Sequence, residues 1–137
     1  MNPVSLAELA VGDVLPDLNI DITAKLIAGA AIATRDYQDV HHDKARAQEL
    51  GSPDIFMNIL TTNGLVGRYV TDWAGAGARL KKIAIRLGAP NYPGDHMCLS
   101  AEVTSIDLQS GAVELTVCGR NGLGDHATGT VSVILPA

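Results

Sequence analysis

The chain has 137 residues, 47% of them hydrophobic and 18% charged, with a formal net charge of −5. That length suits one domain with a sizeable core, residues 1–137 as a single unit, and the composition excludes a disordered chain. The acidic balance, without any Lys/Arg-rich block, argues against nucleic acid as a partner, and no apolar stretch reaches the roughly 18 residues of a membrane span.

The N-terminal segment carries Glu8, Asp13 and Asp17 with no basic start before an apolar run. It does not read as a signal peptide, and a cytoplasmic location is expected. Residues 14–21 suit a short first strand, which Pro16 places at an edge or a strand start. Residues 28–33 are small and apolar and read as a strand leading into the polar stretch Thr34-Arg35-Asp36-Tyr37-Gln38-Asp39. Residues 43–50 have helical character, with Asp43 as N-cap, Ala45, Ala47 and Glu49 as good formers and Gly51 as the stop.

Residues 55–73 are the longest apolar segment outside the strands. Ile55, Ile59, Val66, Val70 and Trp73 recur at helical spacing. Phe56, Leu60, Leu65 and Tyr69 spread the apolar character beyond one stripe, so a helix about 27 Å long, nearly enclosed by protein, is predicted. Gly75 and Gly77 follow at its end. The period then changes to two. Residues 80–87, 96–106, 112–120 and 126–135 are rich in Val, Ile, Leu and Thr, separated by turn signals at Asn91-Tyr92-Pro93-Gly94, Ser110-Gly111 and Asn121-Gly122. Cys98 and Cys118 sit singly in these runs, as buried thiols do, and form no disulfide framework. One long helix followed by three or four strands in an antiparallel meander is an α+β order. A curled antiparallel sheet around a long central helix, the hot-dog arrangement, encloses that helix most economically.

The densest polar segment is Asp36-Tyr37-Gln38-Asp39-Val40-His41-His42-Asp43. Composition alone permits a solvated loop. A metal site is a second possibility, but side chains of neighbouring residues diverge and no third His/Cys ligand stands at a matching spacing, so no metal is expected. The third possibility is an acid/base pair, Asp36 with His41, brought together by a turn.

This segment resembles the motif of the R-specific, MaoC-like enoyl-CoA hydratases, Gly-Asp-x-Asn-Pro-aliphatic-His followed by a short helix containing Ala. Asp36, Val40 and His41 match the Asp, the aliphatic residue and the His, and Ala45 or Ala47 the small helix residue. Arg35, Gln38 and Asp39 replace the Gly, Asn and Pro. From about residue 14 onward the chain is also similar to the small subunits of heteromeric steroid side-chain enoyl-CoA hydratases of cholesterol- and bile-acid-degrading bacteria. Ala33-Thr34-Arg35-Asp36, Gln38-Asp39-Val40-His41-His42-Asp43, Asp54-Ile55-Phe56, Asn58-Ile59-Leu60-Thr61, Arg68-Tyr69-Val70-Thr71-Asp72-Trp73-Ala74-Gly75, Gly119-Arg120-Asn121 and Leu123-Gly124-Asp125-His126 carry that likeness. In that group the three departures are normal.

The resemblance implies a catalytic small subunit that adds water across the α,β double bond of a steroid side-chain enoyl-CoA, with Asp36 and His41 sharing the acid/base work. Coenzyme A is then part of the substrate, and no cofactor is expected. The implied partner is a larger MaoC-like/DUF35-type hydratase subunit in an α2β2 assembly. Related hydratases hold the enolate oxygen with a backbone N–H at a His-Gly pair opening the central helix. The aligned residues here are Met57-Asn58, and the Asn58 N–H is the expected donor. Only the backbone is invoked, so Asn58→Ala is expected to be mild; equally, Asn58 is a simple first-turn polar residue. His96 and His126 both follow Gly-Asp at a strand start and are expected to be structural. Arg79, Lys81, Lys82 and Arg86 read as solvated strand charges more than as contacts for coenzyme A phosphates. A hot-dog thioesterase and a non-catalytic partner subunit are the competing functions.

Overall fold

The computed structural model describes residues 4–136. After a 3-10 turn at Leu6–Glu8 come β1 (Leu18–Asp21), α1 (Ala24–Ala33), a 3-10 turn at Asp39–His41, α2 (Lys44–Glu49) and α3 (Ile59–Ala74). Then follow β2 (Arg79–Leu87), β3 (His96–Asp107), β4 (Ala112–Asn121) and β5 (Gly124–Ile134). The five strands form one antiparallel sheet in the order β1-β3-β4-β5-β2. Register shifts at Leu80/Lys82, Val103/Ser105 and Gly119/Arg120 mark irregularities of the bulge kind, which bend a sheet and sharpen its twist.

Strand periodicity translates directly into packing. Met97, Leu99, Ala101 and Val103 of β3, Val113, Leu115 and Val117 of β4, and Val131 and Val133 of β5 are buried at alternate positions. They share one hydrophobic cluster with Val66, Tyr69, Val70 and Ala74 of α3. The fold is therefore an α+β hot-dog, a curled sheet around a central helix. Among the described residues no helix is long and apolar enough to cross a membrane.

Three expectations are corrected. Residues 28–33 belong to helix α1, whose N-cap Thr23 accepts the Leu26 N–H at 3.0 Å; a run of Ala, Gly and Ile satisfies either period, and the cap decides it. The central helix starts at Ile59, four residues late, because Asn58 takes an extended conformation and caps it. At 16 residues it is about 24 Å long. It is also less enclosed than predicted, since Ile59 and Leu60 in its first turn are exposed. Of the three or four strands expected in the meander, β3, β4 and β5 form it. β2 pairs with β5 at the far edge, so residues 88–95 carry the chain past the start of α3 to β3.

Candidate active site

Asp36 is placed by the way α1 ends. The Arg35 N–H donates to the Ile32 carbonyl at 3.0 Å and the Asp36 N–H to the Ala31 carbonyl at 2.9 Å, the paired bonds of a Schellman stop. Arg35 occupies its left-handed position, with φ of 58°. That is where the related motif has glycine, and a side chain there costs about 1–2 kcal/mol. The Thr34 hydroxyl folds back onto the Ala30 and Ala31 carbonyls at 3.0 and 2.9 Å. The turn thus fixes the Asp36 backbone beside the helix end.

His41 closes the following 3-10 turn and is buried. Its Nδ1 lies 2.6 Å from the Phe56 carbonyl oxygen. A carbonyl only accepts, so Nδ1 carries hydrogen and Nε2 of the neutral ring is left with its lone pair. Nε2 stands 3.3 Å from Asp36 Oδ2. The Phe56 ring meets the imidazole edge-on, with centroids 5.1 Å apart and an interplanar angle of 82°. The Phe56 N–H bonds the Val40 carbonyl at 3.1 Å. Ring plane and tautomer are therefore set by the strand-like approach to α3, not by the turn that carries His41.

Asn58 ties Asp36 to the start of α3. Its Nδ2 donates to Asp36 Oδ2 and to Thr34 Oγ1, each at 3.0 Å, and its Oδ1 accepts the Thr61 N–H at 2.9 Å. The Asn58 donor is the main reason the Asp36 carboxyl lies below the ordinary carboxylate range. The Gln38 N–H and His41 pull the same way, and burial opposes them. Asp36 is accordingly ionised near neutrality. The sequence allows Asn58 either a backbone donor role or that of a first-turn polar residue, with Asn58→Ala mild; the side-chain contacts add a role that neither includes and remove the basis for a mild Ala variant. A polar residue directly before a helix-period run, with Thr at the third helical position, was the available signal for a cap. Among the described residues the Asn58 backbone N–H has no protein acceptor, so the proposed oxyanion donor is uncommitted.

These groups line a cleft of about 390 Å³ whose other walls include Phe56, Ile59, Leu87 and Pro90. His126 also borders it. Both its ring nitrogens are engaged, Nδ1 2.7 Å from the Ala89 carbonyl and Nε2 2.8 Å from the Thr62 hydroxyl, an arrangement that fits the structural role expected of it. Burial pushes the His126 imidazole below its ordinary value. Beside it, Gly88 has no room for a side chain, since a Cβ would run into the Asp125 carbonyl. His96 pairs with Asp21 far out in solvent, and His42 faces Asp39 at 3.8 Å. Among the described residues no three His, Cys, Asp or Glu side chains gather as a metal site would need. Arg79, Lys81, Lys82 and Arg86 are all exposed on β2.

Residues 10–120 match the MaoC like domain family. The chain is 52% identical over 123 residues to the 3-oxo-4,17-pregnadiene-20-carboxyl-CoA hydratase beta subunit of Mycobacterium tuberculosis, covering 90% of this chain and 94% of that protein. Among solved structures it is similar to a chain of the ChsH1-ChsH2 complex of Mycobacterium tuberculosis, with a TM-score of 0.89 and 50% identity over 93% of this chain and 98% of that one. The (R)-hydratase of A. caviae involved in PHA biosynthesis shares the fold at a TM-score of 0.83 and 23% identity, over 94% of this chain and 98% of that one.

Proposed function

The chain belongs to the MaoC-like domain family, and from that premise we propose that residues 1–137 act as the catalytic small subunit of an enoyl-CoA hydratase. Its substrate is a steroid side-chain enoyl-CoA, unsaturated next to ring D, in keeping with the substrate named for its Mycobacterium tuberculosis relative. The observation that carries this assignment is the 3.3 Å approach of His41 Nε2 to Asp36 Oδ2 in a cleft with apolar walls. The ionised Asp36 carboxylate accepts hydrogen bonds there, and so does His41 Nε2 in the tautomer that carries its hydrogen on Nδ1, so one water can donate to both.

As that water attacks Cβ, the pair takes one of its protons; a proton then passes from the pair to Cα, and the pair returns to its starting state. Such acid/base help is worth typically 10²–10⁴-fold. The two groups interact closely enough that the steps belong to the pair and not to either residue. Negative charge gathers on the thioester oxygen meanwhile, and the Asn58 backbone N–H at the start of α3 is the assigned donor. Coenzyme A is the handle of the substrate, and no step calls for a cofactor. A cytoplasmic location suits an acyl-CoA substrate.

The partner is a larger MaoC-like/DUF35-type hydratase subunit, in an α2β2 assembly. β2 is a sheet edge, Ile59 and Leu87 are exposed at the cleft, and Leu60 is exposed on the same first turn of α3 as Ile59. A second hot-dog covering this side removes both exposures, and a partner without an acid/base pair leaves its half of the groove open for a steroid ring system. The test is loss of enoyl-thioester absorbance by the chain alone and with the partner, on steroid and straight-chain substrates. Full activity on straight-chain substrate by the chain alone, with no gain from the partner, would sink the heteromeric assignment. Release of free thiol in place of hydration would establish a thioesterase.

A further inference from the structure

Four hydrogen bonds converge on one buried side chain at the root of the cleft. Asn58 is 3% exposed. Besides the bonds to Asp36, Thr34 and the Thr61 N–H, its Oδ1 accepts from the Thr61 hydroxyl. The amide can sit only one way round. The Thr61 N–H can only donate, so the oxygen faces it and the NH2 faces the carboxylate. The turn ending α1, the Asp36 carboxylate and the first turn of α3 meet at this one group.

We propose that the Asn58 side chain is the positioning residue of the acid/base pair, clamping the Asp36 carboxylate to the start of α3 so that Oδ2 faces His41. This rests on Asp36 and His41 being that pair, and it is separate from the role of the Asn58 backbone N–H. The Schellman turn fixes the Asp36 backbone but not its carboxylate. From the turn itself only the Gln38 N–H reaches the carboxylate, at Oδ1 and a long 3.3 Å. With Nδ1 committed to the Phe56 carbonyl, the tautomer that leaves Nε2 its lone pair offers Oδ2 no donor from His41. A donor on Oδ2 from a third element is what holds them together. The same donor favours the ionised carboxylate, in line with the lowered Asp36 value.

Aspartate at position 58 separates the two duties of the side chain. It keeps the N-cap acceptor for Thr61, loses the donor to Asp36 and sets a second carboxylate against it. The experiment is the pH profile of kcat/KM for the chain in complex with its partner, using 3-oxo-4,17-pregnadiene-20-carboxyl-CoA as probe. Parent, Asn58→Asp and Asn58→Ser are compared, the serine variant also keeping a cap. Asn58→Asp should still melt cooperatively, lose at least about tenfold in kcat and show an acid limb moved up by about one pH unit or more. The sign follows from losing a bond to the charged form. If the aspartate variant does not fold, Asn58→Ser should show the same upward movement, smaller in size. A capped, folded variant with parental kcat and an unmoved acid limb would mean a cap and nothing more, and would overturn the proposal. Near-parental activity in Asp36→Asn would instead remove the acid/base assignment beneath it.

Discussion

Of the three Asp–His contacts among the described residues, the tightest is in the wrong place for chemistry. Where β1 meets β3, His96 Nδ1 lies 2.6 Å from Asp21 Oδ1, with the side chains 76% and 80% exposed. At the cleft, His41 Nε2 and Asp36 Oδ2 are 3.3 Å apart, with exposures of 8% and 24%. The first pair is held by its own attraction and screened by water on every side. The second is held by third parties: the Phe56 carbonyl orients His41, and Asn58 holds the carboxylate. Distance is therefore a poor guide to function in this chain. What separates the pairs is whether each partner keeps an unused acceptor facing a sheltered space.

The largest effect expected from this contrast is on turnover. Asp36→Asn and His41→Ala should each lower the hydration rate by about 10²-fold or more with the fold intact. Absorbance loss of the enoyl thioester measures the rate, and circular dichroism checks the fold. A variant of either residue with near-parental kcat/KM would return the cleft pair to the standing of the surface pair.

His126 sharpens the comparison from the other side, being buried like His41 but with both nitrogens committed. Its removal should cost stability more than chemistry. His126→Ala removes the short bonds of the Ala89 carbonyl and the Thr62 hydroxyl, leaving them only long ones of 3.5 Å to Asn121 Nδ2 and the Asn58 carbonyl, and opens a void, for a loss of about 2–4 kcal/mol in denaturant unfolding. Its folded imidazole binds protons less readily than the unfolded one. Stability from this group is thus present above about pH 6.5 and is lost as pH falls through and below that value. Thermal melts of the parent should decline across that window, and His126→Ala should lack that part of the decline.

How much of this was legible in the sequence follows from range. β3, β4 and β5 were visible because alternate residues face one core, and β2 shows that alternation only at the half-buried Ile83 and Ile85. Asp36 and His41 were visible because a single turn joins them within five residues. The groups that orient them arrive from 15 and 22 residues away, and their contacts exist only after α3 has packed. α1 was misread because small residues carry neither period. Arg35 is the reverse case, a departure from the related motif whose meaning appears only as a φ angle. Its left-handed backbone makes a third prediction. Arg35→Gly should relieve strain and raise stability by about 0.5–1 kcal/mol, after allowing for the greater freedom of glycine in the unfolded chain. Activity should stay at the parental level, because the Schellman bonds that place Asp36 are made by the backbone. A denaturant midpoint that falls would show that the Arg35 side chain makes up for its own strain.

The smallest effect is expected at the surface pair, and it tests the comparison most directly. Asp21→Asn and His96→Ala each remove one partner of the shortest Asp–His contact among the described residues. Both side chains already face water, so neither is left buried and unpaired by losing the other. An exposed ion pair contributes at most about 1 kcal/mol, and salt screens it. The β1–β3 pairing beneath it also rests on backbone bonds from Leu18 to Asp21. Stability should therefore move by less than about 1 kcal/mol, and less still at high ionic strength. The rate of hydration should stay within about twofold of the parent, since nothing here faces the cleft or touches its supports. A hundredfold loss on Asp21→Asn, with Asp36→Asn nearly silent, would move the acid/base pair to the edge of the sheet.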